Sequence, residues 1–580
     1  MEALMEMVGR PKFLDELSEA NYYRRKNVVL LTGNVNDIFH NGKHDVFLSL
    51  EQELFAELGE KFTVVRVDMS VGLTFFDSVF DAEFSSETEK ELDKVCQSIQ
   101  APYFKNGGLR SRFQENRHNP LVILVLLKQL SDIFRKVQQM KLGGIKPLCI
   151  IVQHAGSLFP AGSLNQLSEL DRQRLIFFLG WISDPAFQSS SELVIMLNRV
   201  KSEVNGEITA LPNVAHIEIS LPDDEERRRF IRLSLKKETA VSFENGEDKF
   251  VSDTAGLTLN SIEDLVEIAS TTKRQITQFD VLAEVNLVIR SVLGDIVKVK
   301  RPTHKPEDII GYRKTGEIIA SIFERCEDPE LAISAILVSG PNGGGKTYQL
   351  EAYASQSGRI VIELTGLRDS LFGGTDKLFE QLRWYVTTLG KVLILVDEAH
   401  TAFGSVHSRD THETEKRLAG NMIKLMGDPS LRSKILWALM TSRPDELDPD
   451  VKSRTPIQIP VFDLEGAERR QFVAEMLRRK KVDFEELELD SIMDRTEYYS
   501  ARDYDNLIRE IRAHQKKNPV VRPHEVLSRW QASKSIAKNR QFQTLVAVQH
   551  CSYPELIPIN LRDKEEQIPE MIESMKLMMR

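Results

Sequence analysis

A glycine-rich segment at residues 340–347 has the residue types and the spacing that phosphate binding requires. It matches the pattern GxxxxGK[ST] and consists of Gly340, Pro341, Asn342, Gly343, Gly344, Gly345, Lys346 and Thr347. Glycine permits a left-handed backbone path along which several N–H groups converge on one cluster of oxygen atoms, and the following helix adds its positive end. Lys346 is expected to reach the β- and γ-phosphates of a nucleotide, and Thr347 to hold Mg²⁺ through its hydroxyl.

Two consecutive carboxylates, Asp397 and Glu398, follow the apolar run VLILV at residues 392–396. A buried strand that ends in two acids places them at the ligand-binding edge of a parallel sheet. Asp397 suits the coordination shell of Mg²⁺, and Glu398 can polarise an attacking water as a general base. Many strands end in solvated acids, so this pair gains its meaning from the phosphate-binding segment upstream. Together the two motifs predict hydrolysis of ATP with Mg²⁺ as cofactor.

The elements that must position these motifs are short apolar runs separated by helical patterns. In the second half of the chain, strands are predicted at residues 335–339, 360–364, 392–396, 435–440 and 457–461, and a mostly helical stretch at 465–539. The first half shows the same alternation, with strands predicted at residues 27–31, 62–68, 148–152 and 193–197. Alternation of this kind predicts an α/β fold with parallel sheets flanked by helices. Both halves also end in a strand, an acidic turn and a charged helix, which indicates two related modules in tandem.

The motifs of the second half resemble the AAA+ superfamily, and within it the AAA clade of protein-remodelling ATPases. The resemblance covers about residues 305–530 and includes DIIG at 308–311 and LWALMTSRPDELDPDVKSR at 436–454. It implies that Ile310 and Gly311 pack near the adenine, and that Tyr348 belongs to the nucleotide-binding residues. It also implies a ring, most simply a hexamer, and a protein substrate.

The same resemblance implies roles for three further polar residues. Ser442 falls where the family usually has the sensor-1 asparagine, and this departure leaves the rate of hydrolysis open. Arg454 falls in the arginine-finger segment, which in relatives reaches the ATP of the neighbouring subunit, although a solvated charge before a strand is the simpler alternative. Arg502, which follows a capping pattern of Ser500 and Asp503, corresponds to the sensor-2 arginine of the helical lid.

The candidate pore loop and the first module depart from the family pattern. Leu371 and Phe372 are the candidates for the pore loop that grips polypeptide, but the aromatic residue stands one place late, and Phe372 could instead hold the loop to the next helix. In the first module, LTGNVND at residues 31–37 replaces the phosphate loop, and Gln153 and His154 replace the acidic pair. Asn198 is placed like a sensor-1 asparagine. The first module is therefore predicted to be degenerate and to have lost hydrolysis.

Composition limits the other possibilities. The net charge of −10 and the absence of a long basic block disfavour nucleic acid as the main partner. The four cysteines are scattered without a CxxC pair, which argues against a zinc ribbon or a disulfide framework and favours a reducing, cytoplasmic location. Residues 1–12 lack the pattern of a signal peptide, and no apolar run is long enough to span a membrane.

The sequence thus predicts tandem AAA+ modules, the first degenerate and the second active. The predicted domains are a degenerate α/β domain at 1–220, its helical lid at 221–293, a linker at 294–307, the ATPase α/β domain at 308–463, its lid at 464–539 and a C-terminal tail at 540–580. The predicted function is ATP-driven remodelling, unfolding or disassembly of proteins by a homo-oligomeric ring. A nucleotide-dependent assembly switch or scaffold with slow hydrolysis is one alternative, and a motor acting on nucleic acid is another.

Overall fold

The computed structural model describes residues 10–23, 26–68, 72–76, 90, 109–140, 146–237, 241–294, 297–365, 375–403, 413–497, 499–530 and 537–579. The chain divides into two compact units. The first comprises Met1–Glu284 and Asp376–Trp384, and the second comprises Val285–Thr375 and Tyr385–Arg580. None of the described helices combines the length and the apolar character needed to cross a membrane.

The first unit is built on a six-stranded sheet with the order β5-β4-β6-β7-β1-β8. Its strands are parallel, except that β5 at the edge is antiparallel to β4, and a separate hairpin pairs β2 with β3. The strands are β1 (Val28–Gly33), β2 (Ile38–Asn41), β3 (Val46–Ser49), β4 (Thr63–Asp68), β5 (Gly72–Phe75), β6 (Leu148–Val152), β7 (Leu193–Leu197) and β8 (Val214–Ile219).

Helices cover both faces of this sheet, as the unbroken apolar runs of its central strands require. Alternate residues of β1 enter opposite cores: Val28 and Leu30 pack in one, Val29 and Leu31 in the other. The helices that begin in this unit are Lys12–Ser18, Leu50–Leu58, Leu109–Glu115, Pro120–Gln139, Ala155–Leu158, Glu169–Ile182, Pro185–Gln188, Gly206–Thr209, Asp224–Lys237, Glu247–Asp253, Leu259–Thr272 and Gln278–Leu293.

The second unit repeats the arrangement, with the strand order β14-β10-β13-β12-β11-β9. Here β9 at the edge is antiparallel to β11, and the other pairs are parallel. In this order β10 corresponds to β1 and β12 to β6, so the predicted tandem α/β fold is confirmed. The strands are β9 (Val297–Lys300), β10 (Ala335–Ser339), β11 (Ile360–Leu364), β12 (Val392–Val396), β13 (Ile435–Thr441) and β14 (Ile457–Pro460).

The position of β9 differs from the prediction, which placed a linker at residues 294–307. Val297 and Val299 are 1% and 2% exposed, and between them Lys298 points to solvent. This alternation is the period of a half-buried strand, and it is carried by only two apolar residues in a basic, proline-containing stretch. The first part of the predicted linker therefore completes the second sheet.

The helices of the second unit form two groups besides those that flank the sheet. The lid helices after β14 share a core that includes Leu477, Leu507 and Ile511, and helices near the C-terminus pack around Phe462 and Phe542. The helices that begin in this unit are Arg313–Arg325, Lys346–Gln356, Thr375–Thr388, Ala399–Ala402, Glu413–Met426, Pro449–Ser453, Gly466–Arg479, Glu486–Arg495, Ala501–Lys517, Pro523–Leu527, Ala537–Gln549, Ile559–Arg562 and Ile568–Met579, and residues 376–384 of the third belong to the first unit.

Candidate nucleotide-binding site

The glycine-rich loop connects the end of β10 to the helix that begins at Lys346. Gly340 has φ +128°, and a Cβ at this position would lie 2.3 Å from the carbonyl oxygen of Val461. Gly343 has φ +91°, and its Cβ would lie 2.8 Å from Ser500 Oγ at the start of a lid helix. Only glycine fits either position, because the backbone is left-handed and another segment of the same chain occupies the space that a Cβ atom would need. The loop therefore passes close to both the last strand and the lid.

Lys346 is the first residue of the helix, and its amine turns back into the loop. Nζ donates to the carbonyl oxygens of Gly340 at 2.9 Å and Pro341 at 3.1 Å. Burial lowers the pKa of this amine to about 8, although the carboxylates of Asp397 and Asp463 favour its charged form. A partly buried cation held by two backbone carbonyl groups can exchange them for the oxygens of a phosphate.

The acidic pair lies at the end of β12, as the apolar run before it predicts. Both carboxylates are exposed, and Asp397 Oδ1 accepts a hydrogen bond from the Glu398 N–H at 2.9 Å. Glu398 has φ +47°, a left-handed conformation that is unfavourable for a residue with a side chain. It directly precedes the helix Ala399–Ala402, so the turn holds its carboxylate at the end of the strand.

One pocket of about 870 Å³ brings most of the predicted residues together. The residues from the prediction that line it are Ile310, Asn342, Gly343, Gly344, Gly345, Lys346, Thr347, Tyr348, Asp397, Glu398, Ser442 and Arg502. Gly311, Gly340, Pro341 and Arg454 are not among its lining residues. Leu371 and Phe372, the predicted pore-loop pair, lie outside the described residues.

Aromatic and apolar groups also contribute to the pocket and its surroundings. The Tyr348 ring stacks on His304 with their centroids 4.1 Å apart and their planes 7° from parallel. Ile310 and Met476 line the same pocket, and Arg479 of the lid donates to the Asp308 carbonyl oxygen at 2.9 Å. A flat, partly exposed aromatic face beside apolar side chains suits a nucleobase. His304 was missed, because nothing in its sequence context indicates that it contacts a residue 44 positions away.

Thr441, the last residue of β13, forms a small polar network with His400, which follows the acidic pair in the chain, and with Arg443. Thr441 Oγ1 lies 2.9 Å from His400 Nδ1 and also accepts the Arg443 N–H at 2.9 Å. Burial lowers the pKa of His400, which keeps its imidazole neutral near pH 7. Ser442, only 8% exposed, lines the pocket next to this network. His400 and Thr441 were missed, since a single histidine and threonine carry no spacing signal.

The two predicted arginines are placed differently. Arg502 lines the pocket, and its backbone N–H donates to the Gly343 carbonyl oxygen at 3.3 Å. The predicted capping box of Ser500 and Asp503 is present at the start of this helix. Arg454 is exposed at the end of the helix Pro449–Ser453, where its guanidinium lies beside Gly427.

Two observations test whether the pocket fits a nucleotide with Mg²⁺. Thr347 Oγ1 donates its proton to Met440 Sδ at 3.6 Å, which directs the lone pairs of the hydroxyl oxygen elsewhere. Gln349, 2% exposed, also lines the pocket, and neither its side-chain nitrogen nor its oxygen has a hydrogen-bond partner in the part of the chain that the structure describes. Buried polar atoms without partners are rare in native proteins, so these groups are suited to a polar ligand.

The first unit keeps the backbone of this site and replaces its chemistry. Gly33, at φ +88°, approaches the Ile219 carbonyl oxygen as Gly340 approaches that of Val461. His154, at φ +52°, occupies the same left-handed turn after β6 that Glu398 occupies after β12. Asn198 is engaged within the unit, since its amide donates to Val200 O and Glu203 and accepts from the Gly156 N–H.

In the first unit, the carboxylate of Asp37 binds the N-terminus of a lid helix. Asp37 Oδ2 accepts the Leu259 N–H at 3.0 Å, and Oδ1 accepts the Asn260 N–H at 3.1 Å. Asn34 donates to the same carboxyl group at 2.8 Å. The side chain of Asp37 thus accepts hydrogen bonds from the first backbone N–H groups of the helix Leu259–Thr272.

Within the described ranges, no group of three or more histidine, cysteine or acidic residues could hold a metal ion.

Comparison with known proteins finds one family match in each of the two units. Residues 336–462 match the family model described as ATPase family associated with various cellular activities (AAA). Residues 6–220 match the model of the AAA+ chaperone N-terminal Rossmann-like domain.

Several curated proteins are similar over part of their length. Cell division cycle protein 48 homolog of Archaeoglobus fulgidus is 24% identical over 37% of this chain and 31% of its own length. Meiotic spindle formation protein mei-1 of Caenorhabditis elegans is 25% identical over 40% of this chain and 51% of its own length. Fidgetin-like protein 1 of Homo sapiens is 27% identical over 30% of this chain and 26% of its own length. The chain therefore spans about half of the length of these relatives or less. It carries an AAA ATPase domain that follows an N-terminal domain of the AAA+ chaperone type, and the resemblance to the AAA clade is confirmed.

Proposed function

We propose that the second unit binds ATP and hydrolyses it, and that this turnover remodels a protein substrate. The observation that carries the proposal is that one pocket is lined by the phosphate loop, the acidic pair and Ser442. A site for nucleotide binding alone needs no carboxylate beyond the metal ligand, whereas hydrolysis needs a second one to activate water. Glu398 supplies it, held one residue beyond Asp397 by its left-handed turn.

Each part of the pocket has a defined task in this reaction. The loop N–H groups and Lys346 bind the phosphates, and Tyr348 packs against the base. Glu398 accepts a proton from the attacking water, and Ser442 orients that water or the γ-phosphate through its hydroxyl. Thr347 and Asp397 would hold Mg²⁺, which would neutralise charge on the phosphate oxygens. The first unit lacks the lysine and the acidic pair and takes no part in hydrolysis.

A ring of identical copies accounts for the position of Arg454. Its side chain is exposed and does not line the pocket of its own copy, so it is available to the ATP of a neighbour. An arginine that stabilises the transition state in this way contributes roughly 10³–10⁵-fold to turnover. The similarity to cell division cycle protein 48 homolog and to other AAA ATPases supports a homo-oligomeric enzyme. We propose a hexamer, with Leu371 and Phe372 as the pore-loop residues that contact the substrate.

Complementation between two inactive variants tests catalysis across the interface between copies. Lys346→Ala disables phosphate binding but keeps Arg454, and Arg454→Ala keeps an intact pocket but removes the arginine. Each variant alone is expected to lose most phosphate release, and an equimolar mixture is expected to regain part of it. Lys452→Ala, which removes a neighbouring cation, serves as the control that should stay active. A mixture that is no more active than its components rules out Arg454 as a group acting in trans.

Wild-type specific activity measured against protein concentration tests hydrolysis itself. Activity per copy of the chain is expected to rise and then saturate as rings assemble, with Lys346→Ala as the blank. Activity indistinguishable from that blank would overturn the hydrolysis proposal.

A slow nucleotide-dependent switch is a second candidate function, favoured by Ser442 at the position of the usual asparagine. Glu398→Gln separates the two candidates, because it removes the general base but leaves the phosphate loop intact. If the protein is a motor, the variant binds ATP and holds its substrate without releasing it, and phosphate release falls about 10²–10⁴-fold. If it is a switch, ATP still drives assembly and the variant supports function.

A further inference from the structure

The helix Ala537–Gln549, which follows the lid, contacts the phosphate loop directly. Arg540 Nε donates to the Asn342 carbonyl oxygen at 3.2 Å, and Gln543 Oε1 accepts the Asn342 N–H at 3.1 Å. Both side chains are buried, with exposed fractions of 7% and 3%. One helix therefore satisfies both backbone polar groups of a residue inside the phosphate loop.

Arg540 also joins the loop to the lid. Its Nη2 lies 2.6 Å from Oδ1 and 2.5 Å from Oδ2 of Asp463, a residue that follows β14 in the chain. Its Nη1 lies 3.9 Å from Asp503 in the first turn of the lid helix that carries Arg502. A planar guanidinium can make these contacts together because its donors point in fixed, different directions.

The same helix is anchored in the second unit by its apolar face. Phe542, Leu545 and Val546 pack with Phe462 in a core that also includes residues of the helix Ile568–Met579. The guanidinium of Arg443, next to Ser442, lies 4.8 Å from the centre of the Phe542 ring. The helix is thus held firmly enough to fix the groups that it presents to the loop.

These contacts matter because phosphate binding depends on the directions of the backbone N–H groups in the loop. A flexible glycine-rich loop loses conformational freedom when it closes around phosphate, and a loop held in the bound form beforehand binds more tightly. Gln543 and Arg540 fix the two peptide groups that flank Asn342, and Arg502 N–H fixes the carbonyl of Gly343. We propose that Arg540 and Gln543 are positioning residues that hold the phosphate loop ready for nucleotide, so that the segment after the lid forms part of the ATP site.

This inference rests on the proposed ATP binding and is tested by nucleotide affinity in the full chain. Gln543→Met keeps the length and packing of the side chain but removes the amide acceptor. Its dissociation constant for ADP with Mg²⁺ is expected to rise about fivefold, equivalent to about 1 kcal/mol for one hydrogen bond. Gln541→Met makes the same substitution two positions earlier on the exposed face and should bind as the wild type does.

Arg540→Lys is the second variant, because it keeps a cation beside Asp463 but lacks the fork that also reaches Asn342. Its dissociation constant should rise at least as much, and its KM for ATP should rise while kcat changes little. Arg562→Lys is its matched control: Arg562 donates to the Ile557 carbonyl oxygen at 2.8 Å and makes none of the contacts with the phosphate loop described for Arg540.

Thermal unfolding without nucleotide separates positioning from a purely structural role. If either variant unfolds at lower temperature yet binds ADP with wild-type affinity where it is folded, the inference is wrong. If wild-type protein itself binds no ADP, the proposed ATP site fails, and this inference fails with it. The expected result is weaker binding in both variants at a temperature where each is fully folded.

Discussion

The lowered pKa of Lys346 predicts that the affinity for nucleotide depends on pH. Its pKa is lowered from an ordinary value of 10.5 to about 8, chiefly by burial against the loop. With a pKa of about 8, roughly nine molecules in ten carry the charge at pH 7 and about one in ten at pH 9. Bound phosphate would place negative charge beside the amine and raise its pKa, so binding above pH 8 requires uptake of a proton.

The dissociation constant for nucleotide should therefore rise about tenfold between pH 7 and pH 9, or about 1.4 kcal/mol. Raising the pH has the opposite effect on the stability of the folded chain, which it increases. Between about 8 and 10.5 the folded chain has lost this proton and the unfolded chain has not. The unfolded state then binds more protons, so the contribution of Lys346 to the stability of the nucleotide-free protein rises with pH. Opposite trends in affinity and stability distinguish this group from a general loss of structure at high pH.

Isothermal titration calorimetry with ADP and Mg²⁺ at pH 7, 8 and 9 measures the affinity. Repeating the titration in two buffers with different ionisation enthalpies counts the protons taken up. Lys346→Arg is the control, because its guanidinium stays protonated over this range and its affinity, whatever its absolute value, should not depend on pH. A constant wild-type dissociation constant from pH 7 to pH 9, without proton uptake, would refute the reasoning.

Two further predictions concern the carboxylate in the first unit and the aromatic wall of the pocket. Asp37→Ala removes the acceptors for the Leu259 and Asn260 N–H groups, so it should lower the free energy of unfolding of the first unit by about 1–2 kcal/mol. Hydrogen exchange at residues 259–272 should report faster opening, and Asp37→Asn, which keeps one acceptor, should lose less; equal exchange in all three proteins would contradict this. Tyr348→Ala removes the ring stacked on His304 and should weaken ATP binding about fivefold, or about 1 kcal/mol. Tyr348→Phe keeps the ring and should bind normally, so an equal loss in both variants would show that the hydroxyl matters instead.

The sheets and the two loops that line the candidate nucleotide-binding site were predictable because their signals are local. β10 and β12 are unbroken apolar runs, and the glycines and carboxylates follow them directly in the chain. A parallel sheet brings the ends of its strands to one edge, so Lys346 and Asp397 could be placed in the same site without knowledge of the fold. The edge strand β9 was harder to predict, since two valines among lysines and prolines give a weak alternation.

The tertiary structure was needed for contacts between residues far apart in the chain. Arg540 and Asn342 are 198 positions apart, and Gln543 reaches the same residue from the same helix. Neither residue belongs to a motif, because an arginine or a glutamine can bind a peptide group from many directions and no fixed spacing results. The chemistry of the site follows from short motifs whose geometry the backbone imposes locally. The groups that hold those motifs in place emerge only when the whole chain is folded, because their burial and partners depend on packing.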